Sequence, residues 1–222
     1  MLVRAYRAVE SQVRRVLPHR VIFGRIYRRG GWGAAASRSG AGSTLQQTRR
    51  VREALPGLIE RLGVVSLLDV PCGDFHWLQH VSLPLERYIG GDVVPELIRA
   101  NRERFGSRTH EFRVLDITRD PLPQADLVLC RDLLVHFSYR DIRRALENLR
   151  RSGSRYLLTT TFPDHPENRD IVTGSWRPIH LEKPPFLFPP PLEVLREGHD
   201  DPRFADKSLG LWRIADLPMA SV

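Results

Sequence analysis

The chain has 222 residues, 41% apolar and 27% charged, with two cysteines and a formal net charge of +8. That length suits one domain with a substantial core, and no apolar run approaches the roughly 20 residues a membrane-spanning helix needs. Two thiols make no disulfide framework, and neither has the spacing of a zinc ligand.

The charge is unevenly placed. Residues 1–30 hold eight arginines and one acid, Glu10, whereas residues 31–222 hold 26 basic and 25 acidic residues. The near-neutral body disfavours a nucleic-acid-binding face, which would show as a basic patch. The division predicted is a basic amphipathic arm over 1–30 and a single domain over 31–222. Within the arm, Leu2, Val3, Tyr6, Val9, Val13, Val16 and Leu17 alternate with Arg4, Arg7, Arg14 and Arg15 at helical spacing. One basic helix is therefore expected, stopped near Pro18. It can pack on the domain, touch an anionic membrane surface weakly, or meet a partner. Arginines interrupt every apolar stretch, so no secretory signal is read and a cytoplasmic location is expected.

A Gly/Ala/Ser-rich loop follows. Ser43 or Thr44 can cap a helix running to Gly63, with Pro56 a candidate kink. From Val64 the pattern changes. "VVSLLDV", "RYIGGDVV", "HEFRVLDIT", "ADLVLCRD" and "SRYLLTTTF" read as buried strands. "PELIRANRERFG" and "SYRDIRRALENLRRSG" read as helices, the second capped by Ser138. Two further strands, "LEVLREG" and "SLGLWRIADL", flank the end of the domain. Strands alternating with helices predict an α/β fold with a mostly parallel sheet covered on both faces.

Ligands bind beyond the carboxyl ends of such strands. Four consecutive strands end in acids: Asp69, Asp92, Asp116 and Asp132. The loop after the first, Asp69 to Phe75, has one glycine, Gly73, and a second acid, Asp74. That loop would repel a pyrophosphate and lacks the G-x-G-x-x-G of dinucleotide sites. A cofactor with a positive charge and a ribose diol fits better, and S-adenosylmethionine is such a molecule.

At these residues the chain, from about 44 to 217, resembles class I S-adenosylmethionine-dependent methyltransferases. "LLDVPCGDFHW", "YIGGDVV", "VLDIT" and "DLVLCRDLLVH" are similar to their four strand-end motifs in order. More narrowly, "DVPCGDFHW", "CRDLLVHFS", "TTTF" and "DKSLGLW" resemble a bacterial-type group whose acceptor is unassigned. The family pattern has glycines where this chain has Pro71 and Phe75. The resemblance implies a Rossmann-like, mostly parallel seven-stranded sheet. It places Asp69 and Gly73 at the methionine end of S-adenosylmethionine, with Cys72 and Asp74 in the same loop. It gives Asp92 the ribose, Val93 an adenine face, Asp116 the adenine amino group with Ile117 beside it, and Cys130 and Arg131 the methionine moiety.

Two side chains just past the fourth strand, Asp132 and His136, are the candidate bases. Ser39 and a later loop bearing Trp176, Arg177 and His180 are candidates for the acceptor. The acceptor motif of base-amine methyltransferases, Asn/Asp-Pro-Pro-aromatic, is missing, and no metal cluster is read. The expected activity is methyl transfer to a small-molecule or glycan acceptor, on oxygen. The alternatives are an RNA methyltransferase using the basic arm and a non-catalytic binding protein of the same fold. Oligomeric state is not legible.

Overall fold

The computed structural model describes residues 14, 16–32, 36–198 and 201–218, so residues 2–13 of the expected basic helix lie outside the described residues. Among the described residues a seven-stranded sheet has the order β3-β2-β1-β4-β5-β7-β6. The strands are β1 Ser66–Asp69, β2 Arg87–Asp92, β3 His110–Val114, β4 Leu127–Cys130, β5 Tyr156–Thr161, β6 Glu193–Arg196 and β7 Ser208–Arg213. β3, β2, β1, β4 and β5 pair in parallel. β7 runs antiparallel to both β5 and β6. Leu67, Leu68, Leu127, Val128, Leu129, Leu157 and Leu158 are fully buried. That is why these strands read as continuous apolar runs rather than as alternating ones.

The helices are α1 His19–Arg28, α2 Arg49–Leu62, α3 Pro95–Phe105 and α4 Tyr139–Arg151. α3 joins β2 to β3 toward one edge, and α4 joins β4 to β5 toward the other. Right-handed crossovers therefore put the two helices on opposite faces of the sheet. The order reverses between β1 and β4, which makes their carboxyl ends the switch point where a crevice opens. α2 runs unbroken through Pro56 and ends on Gly63 at φ +60. The burial of Leu55, Leu58 and Ile59 holds it together where one ladder hydrogen bond is lost. Ser138 caps α4, its hydroxyl accepting from Asp141 N. The β1–β2 connection holds only a short 3₁₀ turn at Leu78–His80.

The N-terminal stretch differs from its expectation. Pro18 stands at the start of a helix, α1, where the end of one was expected. Phe23 enters the main core and Ile22 is buried. His19 is the fixing point. Its Nδ1 lies 3.2 Å from Asp116 Oδ1 and its Nε2 3.2 Å from Asp141 Oδ2. The ring stacks on Phe137 at 5.0 Å. Burial opposes the imidazolium, but the two carboxylates outweigh it and raise the His19 pKa from 6.5 to about 9.

A raised folded-state pKa stabilises the fold below pH 6.5, and that contribution is lost as pH climbs through about 9. His19→Gln should cost roughly 2–3 kcal/mol at pH 6, with the gap to the parent closing in alkali. Urea unfolding across pH reads this directly. A gap independent of pH would mean that His19 is neutral in the folded protein.

Candidate active site

The crevice at the switch point is a cavity of about 780 Å³, within the range of small-molecule sites. Its floor is the carboxyl edge of the sheet: Asp69 to Asp74 after β1, Asp92 to Val94 after β2, Leu115 to Ile117 after β3 and Arg131 to Leu133 after β4. Its roof is α1 and the segment after it, through Leu17, Ile22, Phe23, Ile26 and Trp32. The remaining wall is His136, Phe162, Gly174 to Trp176, Phe204 and Lys207.

The four strand-end acids differ in how they are neutralised. Asp69 is 4% exposed and accepts a 2.8 Å hydrogen bond from Tyr88 Oη. Burial raises its pKa to about 7. Asp92 Oδ1 accepts from Val94 N at 2.9 Å, and burial raises its pKa to about 6 against the pull of backbone amides. Neither acid makes an ion pair among the described residues. Asp116 is different. Its Oδ1 accepts from Thr118 N and Thr118 Oγ1, and His19 lies against the same atom. Its pKa is lowered: although burial opposes this, the His19 contact prevails. Asp116 can therefore reach an adenine only through Oδ2, which has Arg119 Nε 3.5 Å away.

Asp132 sits in left-handed backbone at φ +57, held there by Asp132 N donating to Thr160 Oγ1 at 2.8 Å. Lys207 Nζ lies 2.7 Å and Arg131 Nη1 3.2 Å from its carboxylate. Despite burial, the two cations hold it well below the usual carboxylate range. A carboxylate so paired is a feeble base, which corrects the expectation that Asp132 accepts a proton. Arg131 is likewise committed: it grips Glu197 in a bidentate pair at 3.0 and 2.6 Å and donates to Gly42 O at 2.8 Å. Lys207 completes the quartet, 3.3 Å from Glu197.

His136 presents the opposite picture. It closes a 3₁₀ turn, Leu134–His136, and lines the cavity. Its Nδ1 lies 2.7 Å from Ser175 O, so Nδ1 carries the hydrogen and Nε2 the lone pair. Burial lowers its pKa and leaves a neutral imidazole at pH 7.

In the loop after β1, Gly73 has φ +53, and an added Cβ would collide with Ser39 Oγ. Asp74 accepts from Ser37 Oγ, Ser39 Oγ and Arg38 N and so ties segment 37–39 over the loop. Ser39, expected at the acceptor, is thus engaged with Asp74 while still lining the cavity. Phe75 turns away into an aromatic cluster with Tyr88, Phe105 and Phe112. Cys72, Val93 and Ile117 line the cavity, and burial pushes the Cys72 thiol well up.

Three expected contacts are not made. Cys130 is fully buried in β4 and does not line the cavity; burial raises its thiol to about 12. Arg177 is fully buried on backbone carbonyls of Leu134 and Phe137. His180 is buried against His165 O, away from the cavity. Trp176 alone of that trio reaches it, 41% exposed and edge-on to Phe162 and Phe204.

Sequence reasoning missed His19, Glu197 and Lys207. Lys207 carried a signal, being one of only two lysines and lying in the quoted "DKSLGLW". His19 and Glu197 carried none. No group of three or more His, Cys, Asp or Glu among the described residues could hold a metal ion.

Residues 68–153 match the family described as "Methyltransferase domain". The methyltransferase domain of bacterial CtHen1 superposes with a TM-score of 0.55 at 12% identity, covering 77% of this chain and all of that one. The fold is that of a class I methyltransferase. The N-methyltransferase NodS from Bradyrhizobium japonicum WM9, solved with S-adenosyl-L-homocysteine, gives 0.50 at 15% identity over 63% of this chain and 72% of its own. Human N-acetylserotonin methyltransferase, solved with S-adenosylmethionine, gives 0.55 at 15% identity over 89% of this chain and 60% of its own. No curated protein matches the sequence.

The stability of this fold depends on its charged quartet. Glu197→Gln removes one side of a buried network and should cost about 3 kcal/mol in urea unfolding. Glu193→Gln, which breaks the exposed Arg61 pair, should change stability by about 1 kcal/mol at most. Equal small effects would mean that the quartet is solvated.

Proposed function

We propose that this chain binds S-adenosylmethionine in the switch-point cavity and transfers its methyl group to the oxygen of a small-molecule or glycan acceptor. The observation that carries the reading is the pair Asp69 and Asp92, two buried carboxylates on the cavity floor that make no ion pair among the described residues. Burying such acids unpaired is costly, and a cationic ligand relieves the cost. Gly73 lets the main chain come close where any side chain would obstruct, and the volume admits a nucleoside with room for an acceptor.

Asp92 receives the ribose hydroxyls. Val93 and Ile117 make the apolar faces for adenine, and Asp116, fixed by His19 and Thr118, lies at its edge. Asp69 and the Gly73 loop take the methionine end, with segment 37–43 above it. The bound cofactor supplies an already activated methyl on sulfonium. What remains for the protein is orientation, exclusion of water and removal of the acceptor's proton. α1 and Trp32 close the cavity against solvent. Phe162, Trp176 and Phe204 offer an aromatic wall for the acceptor. His136, neutral and with Nε2 unprotonated, takes the hydroxyl proton.

Calorimetric titration with S-adenosylmethionine and S-adenosylhomocysteine, beside NAD, tests the cofactor. Both of the first should bind and NAD should not; absence of binding by either would overturn the reading. Asp92→Ala should weaken binding by about 1.5–3 kcal/mol through loss of a charge-assisted hydrogen bond.

The raised pKa values give a pH signature. Asp69 and Asp92 bind protons in the free protein as pH falls through about 7 and about 6, and the cationic ligand needs them ionised. Affinity for S-adenosylmethionine should therefore rise by roughly tenfold per pH unit at most across that window and then level off. The uncharged sulfur of S-adenosylhomocysteine should show a shallower slope.

A further inference from the structure

The connection from β5 to β6 runs alongside the His136 turn and takes all four of its carbonyls. Arg177 Nη1 donates to Leu134 O at 2.7 Å. Arg177 N donates to Val135 O at 3.0 Å and Gly174 N to His136 O at 2.8 Å. Arg177 Nη2 donates to Phe137 O at 2.9 Å. In return His136 Nδ1 donates to Ser175 O at 2.7 Å. Three residues and one guanidinium thus hold a four-residue turn at every acceptor it offers.

The guanidinium comes at a cost. Arg177 is fully buried, makes no ion pair among the described residues, and its Nε has no partner. The Tyr139 ring centre lies 5.9 Å from its guanidinium carbon, Asp170 favours its charge from beyond ion-pair distance, and Arg169 opposes it. Burial lowers even this strong base to about 10. A cation buried without an anion is destabilising, and an apolar side chain would fill the space more cheaply. What an apolar side chain cannot do is bridge two carbonyls three residues apart. Nor can lysine, which brings a single point charge where arginine brings a planar fork.

We propose that Arg177 is the positioning residue of His136: by bridging Leu134 O and Phe137 O it locks the turn so that the imidazole keeps Nδ1 on Ser175 O and Nε2 free for the acceptor's proton. The proposal rests on the reading of His136 as the base, but its test does not need the acceptor. The charged groups facing His136 are Asp132, which favours the imidazolium, and Arg177 and Lys207, which oppose it.

The experiment is long-range ¹H–¹⁵N NMR of full-length protein labelled at histidine, titrated with and without saturating S-adenosylhomocysteine. In the parent, His136 should appear as the Nδ1–H tautomer and titrate below 6.5. In Arg177→Lys, which keeps the charge and loses the fork, the tautomers should mix while S-adenosylhomocysteine affinity stays within about twofold. In Arg177→Met the tautomers should also mix, and the His136 midpoint should rise because an opposing charge is gone. A folded Arg177→Lys protein whose His136 keeps the parent tautomer overturns the proposal, and this variant is decisive if Arg177→Met does not fold. Failure of the base reading looks different. His136→Gln would then retain full turnover on an identified acceptor, whatever the NMR outcome.

Discussion

Among the described residues two carboxylates at the centre of the sheet edge make no ion pair, and the rest of the site is arranged around that fact. Four adjacent parallel strands each deliver an acid to one crevice. The outer two are neutralised internally, Asp116 by His19 and Asp132 by Arg131 and Lys207. Among the described residues the inner two, Asp69 and Asp92, have hydrogen bonds from a phenol and main-chain amides but no ion pair, Arg131 reaching Asp69 only from a distance. Burial therefore drives the inner acids up in pKa, while charged partners bring the outer acids down against the same burial, although all four start from the same chemistry. The crevice is left with one defined zone of unsatisfied negative charge, flanked by zones already at balance. Such a pattern selects a ligand whose positive charge sits at the switch point and excludes one that carries phosphates there.

The same neutralisation builds the walls. His19 brings α1 over the cavity because it bridges Asp116 on the β3 edge and Asp141 in the first turn of α4. Arg28 ties the far end of α1 to Glu96, at the start of α3. The Arg131–Glu197–Lys207–Asp132 quartet joins the ends of β4 and β6 to the start of β7, and Arg131 reaches on to Gly42. Asp74 secures the neighbouring stretch at Ser37 and Ser39. Roof and floor are thus held together through ionisable groups as well as through the apolar contacts of Ile22 and Phe23, so closure of the cavity is linked to pH at its edges.

The sheet's centre was legible because burial on both faces leaves a plain apolar run, and all seven strands stand where strand segments were read. The loop between Asp69 and Phe75 was legible for its single glycine and paired acids. What was hidden has a common cause: the partners come from distant parts of the chain and carry no local pattern. His19 lies 97 residues from Asp116, and Glu197 66 from Arg131. Within the arm, arginine periodicity continued past Pro18, so one helix was read where α1 is a separate element with a buried face. In the β5–β6 connection, Trp176, Arg177 and His180 looked alike as polar or aromatic loop residues. Only the first faces the cavity, because the other two are drawn inward by backbone oxygens that a sequence does not display.

That connection also separates the two candidate bases past β4. Asp132 and His136 are one turn apart and both border the cavity. Electrostatics separate them: the lysine and arginine beside Asp132 stabilise its ionised form so strongly that it has little basicity left. Burial, Arg177 and that same lysine disfavour a charge on His136 and keep its imidazole neutral. A base is useful near neutral pH only if it is unprotonated before the reaction and can hold a proton during it. His136 meets the first condition through burial and its cationic neighbours. It meets the second through Asp132, whose carboxylate favours the imidazolium once the proton arrives, and through Ser175 O, which holds the opposite nitrogen in place. The acid that is too well paired to act as a base thus remains useful as the charge that steadies one.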